Sequence, residues 1–185
     1  MLVLAIDSSS STATCALVSE KGVLGEINLN DKKQHSVLLM DLIDDLLKYN
    51  NLKIKDLDGF AISEGPGSFT GLRIGMATVK GLSFGSKKPS VCVSSLDALA
   101  YNISGFNGII CPIIDALRGN VYASLYKKEG DELVSLSEKE CISLTDLIEK
   151  IKEKNEDVIF VGDGISKHKD CLLYTSPSPR DRGWS

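Results

Sequence analysis

The chain has 185 residues, 43% of them hydrophobic, with 21 Lys plus Arg against 25 Asp plus Glu and a net charge of −4. That size suits one compact domain or two small lobes, with ample apolar material for a core. The mildly acidic balance excludes a domain-wide basic field, so any contact with a nucleic acid must be local or be made by a partner.

Leu2 to Ile6 is a short, nearly continuous apolar run ending at Asp7, which predicts a strand buried on both faces. The chain turns at Ser8–Thr12 and continues as strands over Ala13–Ser19 and Val23–Leu29, joined by a hairpin-type turn at Glu20-Lys21-Gly22. From Gln34 to Asn50 the period changes. Val37, Leu38, Leu42, Ile43, Leu46 and Leu47 recur at three-and-four spacing, with acids on the other face, which predicts an amphipathic helix. A strand over Phe60–Ser63 leads into Gly65-Pro-Gly-Ser-Phe-Thr-Gly71 and a helix to about Phe84, with a strand near Val91–Val93 and a helix over Leu96–Ile103 after it.

After Gly105 the order restarts. Ile109–Asp115 is again an apolar run ending in Asp, followed by strands over Val121–Tyr126 and Leu133–Leu136, a helix over Leu144–Lys154 and a strand over Val158–Val161. This is a repeat of topology and not of residues. A strand-strand-strand-helix-strand unit occurring twice is the layout of the α/β actin-like ATPase fold (ASKHA, ribonuclease H-like). The predicted organisation is a first lobe over 1–105, an incomplete second lobe over 106–170, and a tail over 171–185. That tail holds the only Trp and two of the five Pro, and its composition predicts disorder or non-native sequence.

Five cysteines, at positions 15, 92, 111, 141 and 171, form no C-x-x-C pair and have no His at ligand spacing. They predict a reducing cytosol, with Cys15, Cys92 and Cys111, which lie in apolar runs, acting as small core residues. The start of the chain carries no basic leader, and no apolar stretch approaches the ~18 residues of a membrane span, so a soluble, cytoplasmic protein is expected.

The most specific signal is Gly65-Pro-Gly-Ser-Phe-Thr-Gly-Leu-Arg-Ile-Gly75. Gly65, Gly67 and Gly71 let backbone approach a ligand, Ser68 and Thr70 can cap the helix, and Arg73 stands in its first turn. A tight capped turn without ligand fits the same residues. A P-loop does not, because Leu72 and Arg73 stand where its Lys would be. Asp7 and Asp115 end their strands where a carboxylate can serve a nucleotide's metal, or can accept amides in an Asx-turn. Ser8 to Ser11 has no Gly, which argues against an ATPase phosphate hairpin.

The Gly65–Gly75 segment, Ile6-Asp7-Ser8-Ser9, His35-Ser36, Ser94-Ser95-Leu96-Asp97-Ala98-Leu99-Ala100 and Ile114-Asp115-Ala116 resemble the TsaB (YeaZ) pattern, in order, over about residues 1–165. Leu117 and Asn120 depart from it. The resemblance implies a non-catalytic subunit that binds and activates the paralogue TsaD, with the ATPase TsaE, in moving threonylcarbamoyl onto the adenosine 3′ of the anticodon in tRNAs reading A-starting codons. It implies tRNA contact mainly through the complex, pairing with TsaD or a second copy, and no cofactor of its own beyond ATP or ADP at an interface with partners. The partner helices would present His35, Leu38, Leu42, Gly75, Met76 and Val79. TsaD-like proteins hold a metal through His-x-x-x-His, and here Leu39 fills the second place after His35, so no metal and no catalytic residue is expected. The alternatives are an ATP-dependent kinase-like or a metallopeptidase-like member of the same superfamily.

Overall fold

A computed structural model describes residues 1–30, 35–130 and 132–175. It separates into two compact units, Met1–Ser95 and Leu96–Ser185. In the first, β1 (Leu2–Asp7), β2 (Ala13–Ser19) and β3 (Gly22–Leu29) form an antiparallel meander, followed by α1 (His35–Tyr49) and a 3-10 turn at Ile54–Asp56. β4 (Gly59–Gly65), α2 (Phe69–Ser86) and β5 (Ser90–Ser94) complete it, with sheet order β3-β2-β1-β4-β5 and β4 parallel to both β1 and β5.

One face of this sheet supplies Leu4, Ile6, Cys15, Leu17, Phe60 and Ile62 to the core. Leu39, Ile43, Leu46 and Leu47 of α1 and Val79 of α2 close over them, as the three-and-four spacing requires. β1 is therefore one-sided, since Leu4 and Ile6 are buried while Val3 and Ala5 are half-buried. The expected burial of both faces is corrected here.

The second unit repeats the plan with changes. β6 (Ile109–Asp115) is buried at every residue but Asp115. The single strand expected over Val121–Tyr126 is two, β7 (Asn120–Ala123) and β8 (Tyr126–Glu129). Ser137 marks the break: its hydroxyl accepts the Leu125 amide at 2.9 Å in place of a ladder acceptor, and its carbonyl accepts the Ser124 side-chain hydroxyl at 2.9 Å. After β9 (Glu132–Ser135) comes an unexpected strand, β10 (Glu140–Ser143), paired to β7, whose single buried residue Ile142 gave too little alternation to read. Helix α4 (Leu144–Lys154) starts at Ser143, whose hydroxyl accepts the Asp146 amide, and stops at Asn155 in the left-handed conformation. β11 (Val158–Val161) then pairs parallel to β6.

Two boundaries move. Helix α3 (Ser95–Tyr101), assigned from sequence to the first lobe, falls almost wholly in the second unit, where Ala100 packs with Ile110 and Tyr126. Helix α5 (Gly164–Thr175) runs five residues into the stretch read as a tail, with Leu172 buried against the second core, while 176–185 lie outside the described residues. The β-β-β-α-β order of the first unit is that of the actin-like ATPase fold, while in the second unit β6, β7 and β10 precede α4 and β11 with the β8–β9 pair inserted between β7 and β10. Among the described residues, no helix is long and apolar enough to cross a membrane.

Candidate functional site

The glycine-rich segment forms the junction between β4 and α2. Gly65 leaves the strand with φ +103° through a cis bond to Pro66, and Ser68 caps the helix, its hydroxyl accepting the Gly71 amide at 3.4 Å. The turn after β1 lies directly on this junction. The Ser68 amide donates to the Ser9 carbonyl at 2.6 Å, and the Ser8 hydroxyl donates to the Gly71 carbonyl at 2.9 Å in a buried contact.

Three glycines make that approach possible, one turn apart. A Cβ on Gly67 would overlap the Ser9 carbonyl, one on Gly71 the Ser8 carbonyl, and one on Gly75 the Ser8 hydroxyl. Gly65, the last residue of β4, faces Leu72 of α2. The amides of Ser9, Ser68 and Gly71 all have acceptors inside the chain, Ser9 giving its hydrogen to Asp7 Oδ1 at 2.8 Å. Of the two readings of the motif, the geometry favours the tight capped turn: the glycines admit the protein's own backbone. Asp7 likewise forms the Asx-turn.

What remains outside is the opposite face of α2. Buried Gly71, Gly75 and Val79 define the inner stripe. Residues about 200° away around the helix at 100° per residue must face out, and Phe69, Arg73, Ala77, Lys80 and Phe84 do so. Phe69 is 73% and Phe84 89% exposed, and the Arg73 guanidinium stacks 5.3 Å from the Phe69 ring centre. Thr70 is also exposed. Beside this face a shallow depression of about 340 Å³ is lined by Ile54, Gly81, Leu82 and Gly85.

The partner residues named from sequence need correcting. Gly75 and Val79 belong to the inner stripe and are unavailable, because the small-residue face is the one that receives the turn after β1 and the sheet. Met76 and Leu42 are half-buried against the same core, and Leu38 is half-buried. The His35 side chain lies outside the described residues. Leu39 is 2% exposed and is a core residue. Phe69 and Phe84, which sequence did not single out, are the exposed aromatics of this helix: once the glycines are inside, the aromatics are out.

In the second unit Asp115, at the end of β6, is engaged by its own chain. Its carboxylate pairs with Lys167, lies 3.6 Å from His168 Nε2 and accepts the Leu117 amide at 3.3 Å. Lys167 and the Leu117 amide hold this carboxyl below its ordinary range, against the opposing push of burial. The β6–β7 turn is unusual, with Leu117, Arg118 and Gly119 all at positive φ (+66°, +55° and +80°). Elsewhere in this unit, Asp97 accepts the Tyr126 hydroxyl and pairs with Lys139, both at 2.6 Å, at the edge of an open depression of about 860 Å³. Among the described residues, no group of three or more His, Cys, Asp or Glu side chains could hold a metal ion.

The family model described as TsaD, tRNA N6-adenosine threonylcarbamoyltransferase, matches residues 21–178. The chain is 39% identical over 172 residues to the tRNA threonylcarbamoyladenosine biosynthesis protein TsaB of Bacillus subtilis, covering 93% of this chain and 75% of that protein. It is 28% identical over 167 residues to TsaB of Escherichia coli, covering 89% and 72%. A solved structure of YeaZ from Pseudomonas aeruginosa superposes with a TM-score of 0.69 at 29% identity, covering 77% of this chain and 69% of that one.

Proposed function

Since the chain belongs to the TsaB family of tRNA threonylcarbamoyladenosine biosynthesis proteins, related to TsaD, we propose that it is a non-catalytic subunit that binds and activates a TsaD-like catalytic subunit. The reaction served is threonylcarbamoyl transfer to the adenosine 3′ of the anticodon in tRNAs reading A-starting codons. The supporting observation is the outer face of α2, where two highly exposed phenylalanines and a stacked arginine form an amphipathic surface on a rigid helix. Exposed aromatics flanked by Arg are the residue types that anchor protein interfaces.

Two features speak for a non-catalytic role. Leu39, at the second position of the His-x-x-x-His spacing, is committed to the core, and the turn after β1 is filled by the start of α2. With a net charge of −4, the chain reaches tRNA through the complex. A TsaE-like ATPase joins the assembly, which works in the cytoplasm.

The test is reconstitution of the modification with the catalytic subunit, the ATPase, the enzyme making the threonylcarbamoyl-adenylate donor, and tRNA. Leaving out this subunit is expected to reduce modified adenosine to background. Equal modification in its absence would overturn the proposal.

A further inference from the structure

We infer that Gly71 and Gly75 are positioning residues for the docking helix: with Ser8 they fix how closely α2 seats on the first sheet, and so set the height at which Phe69 and Phe84 meet the partner. This rests on the proposal that the outer face of α2 is the docking surface.

The seat is defined by contacts that leave no slack. The Ser8 carbonyl occupies the space of a Gly71 side chain, and the Ser8 hydroxyl that of a Gly75 side chain. The same hydroxyl is tied to the Gly71 carbonyl at 2.9 Å, and the Ser9 carbonyl holds the Ser68 amide at 2.6 Å. Ser8 is 1% and Ser9 8% exposed, so none of these atoms can touch a partner. Any side chain added on this face pushes α2 outward as a rigid rod, because its other neighbours are the packed core around Val79 and Ile62. An interface built on exposed anchors tolerates such displacement poorly, since hot-spot contacts depend on close fit.

The chemistry of the two contacts differs, and that difference gives the test. At Gly75 a methyl group would meet the Ser8 hydroxyl, which a second substitution can remove; beyond it lies Ile62 Cδ1 at 2.9 Å, the movable end of a side chain. At Gly71 it would meet a backbone carbonyl, which no substitution at Ser8 removes. Affinity for the TsaD-like subunit should be measured by titration calorimetry for Gly75→Ala, Ser8→Ala, Ser8→Ala/Gly75→Ala and Ser8→Ala/Gly71→Ala, at a temperature where circular dichroism shows each variant folded.

Gly75→Ala is expected to weaken binding by about tenfold or more. The Ser8→Ala/Gly75→Ala pair is expected to return to within about threefold of Ser8→Ala, whereas Ser8→Ala/Gly71→Ala is not. A role in stability alone would lower the melting temperature and leave the affinity of the folded variants unchanged. If Gly75→Ala does not fold by itself, the Ser8→Ala/Gly75→Ala pair must fold and bind within the same limit. Unchanged affinity in Gly75→Ala, or no rescue by Ser8→Ala, overturns the inference. Phe84→Asp, measured alongside, separates the two claims: if it too leaves binding unchanged, the docking surface itself is wrong.

Discussion

The β4–α2 junction of the first unit and the β11–α5 junction of the second solve the same problem with different chemistry. In each, a glycine at positive φ leaves a parallel strand, Gly65 at +103° and Gly162 at +118°. In each, a glycine backbone presses on a carbonyl near the exit of the adjacent parallel strand: Gly71 on Ser8, and Gly162 on Ile113. The first junction is then closed by shape and by uncharged donors, Ser8 and Ser68. The second is closed by charge, with Lys167 of α5 paired to Asp115, His168 Nε2 3.6 Å from the same carboxylate and the Asp115 amide donating to Asp163. A repeated topology fixes where helix meets strand; it does not fix what holds them together.

Buried cysteines give each unit its own reporter. Cys15 and Cys111 are fully buried, one in each core, and burial pushes both thiols up to about 12, whereas Cys92, expected in the core from its apolar run, is exposed on β5. In a background with Cys92, Cys141 and Cys171 changed to Ser, each should react with an aromatic disulfide reagent only when its unit opens. The largest expected effect is that of Gly71→Ala, whose methyl group meets backbone and cannot rotate away. It should destabilise the first unit by about 3 kcal/mol, read as Cys15 exposure in urea, with Cys111 little changed. A loss below about 1 kcal/mol would mean that the junction is softer than its geometry. Gly162→Ala should do the reverse, exposing Cys111 first at a cost of about 2 kcal/mol from the unfavourable φ and the Ile113 contact.

Acid should then separate the two junctions without mutation. Because Asp115 is held below its ordinary value, near 3.9, its stabilising contribution is fully present above about pH 4 and is lost as pH falls through the depressed folded value. Cys111 is therefore expected to become reactive at a higher pH than Cys15, and simultaneous exposure would contradict the contrast. Lys167→Met carries the smallest expected effect, less than about 1 kcal/mol at neutral pH because the lysine is largely exposed. It should also bring the acid transition of Cys111 closer to that of Cys15.

Much of the architecture was legible because apolar runs bounded by polar turns have few alternatives. β2 and β6 span the residues expected, and Ile43, Leu46 and Leu47 of the predicted α1 stripe reach the core, joined by Leu39, which the stripe did not include. What escaped depends on particular partners distant in sequence. Nothing near Ser124 announces that Ser137 will interrupt its strand. The extension of α5 to Thr175 is anchored by Leu172, whose value comes from a core assembled elsewhere. The glycine motif shows the same limit in its sharpest form. Sequence shows that something must approach Gly67, Gly71 and Gly75, and a bound ligand and a neighbouring turn are equally good candidates until Ser8 and Ser9 are seen occupying the space.

The central claim, that this motif seats a docking helix and does not cradle a ligand, is tested most directly by the amide chemical shifts of residues 65–75. Spectra would be recorded with magnesium and ATP or ADP, and separately with the TsaD-like subunit. The account predicts that the amides of Phe69, Thr70 and Arg73 move with the protein partner and that those of Ser68 and Gly71 stay in place with nucleotide alone. Saturable shifts at Ser68 and Gly71 on adding nucleotide to the isolated chain would contradict it.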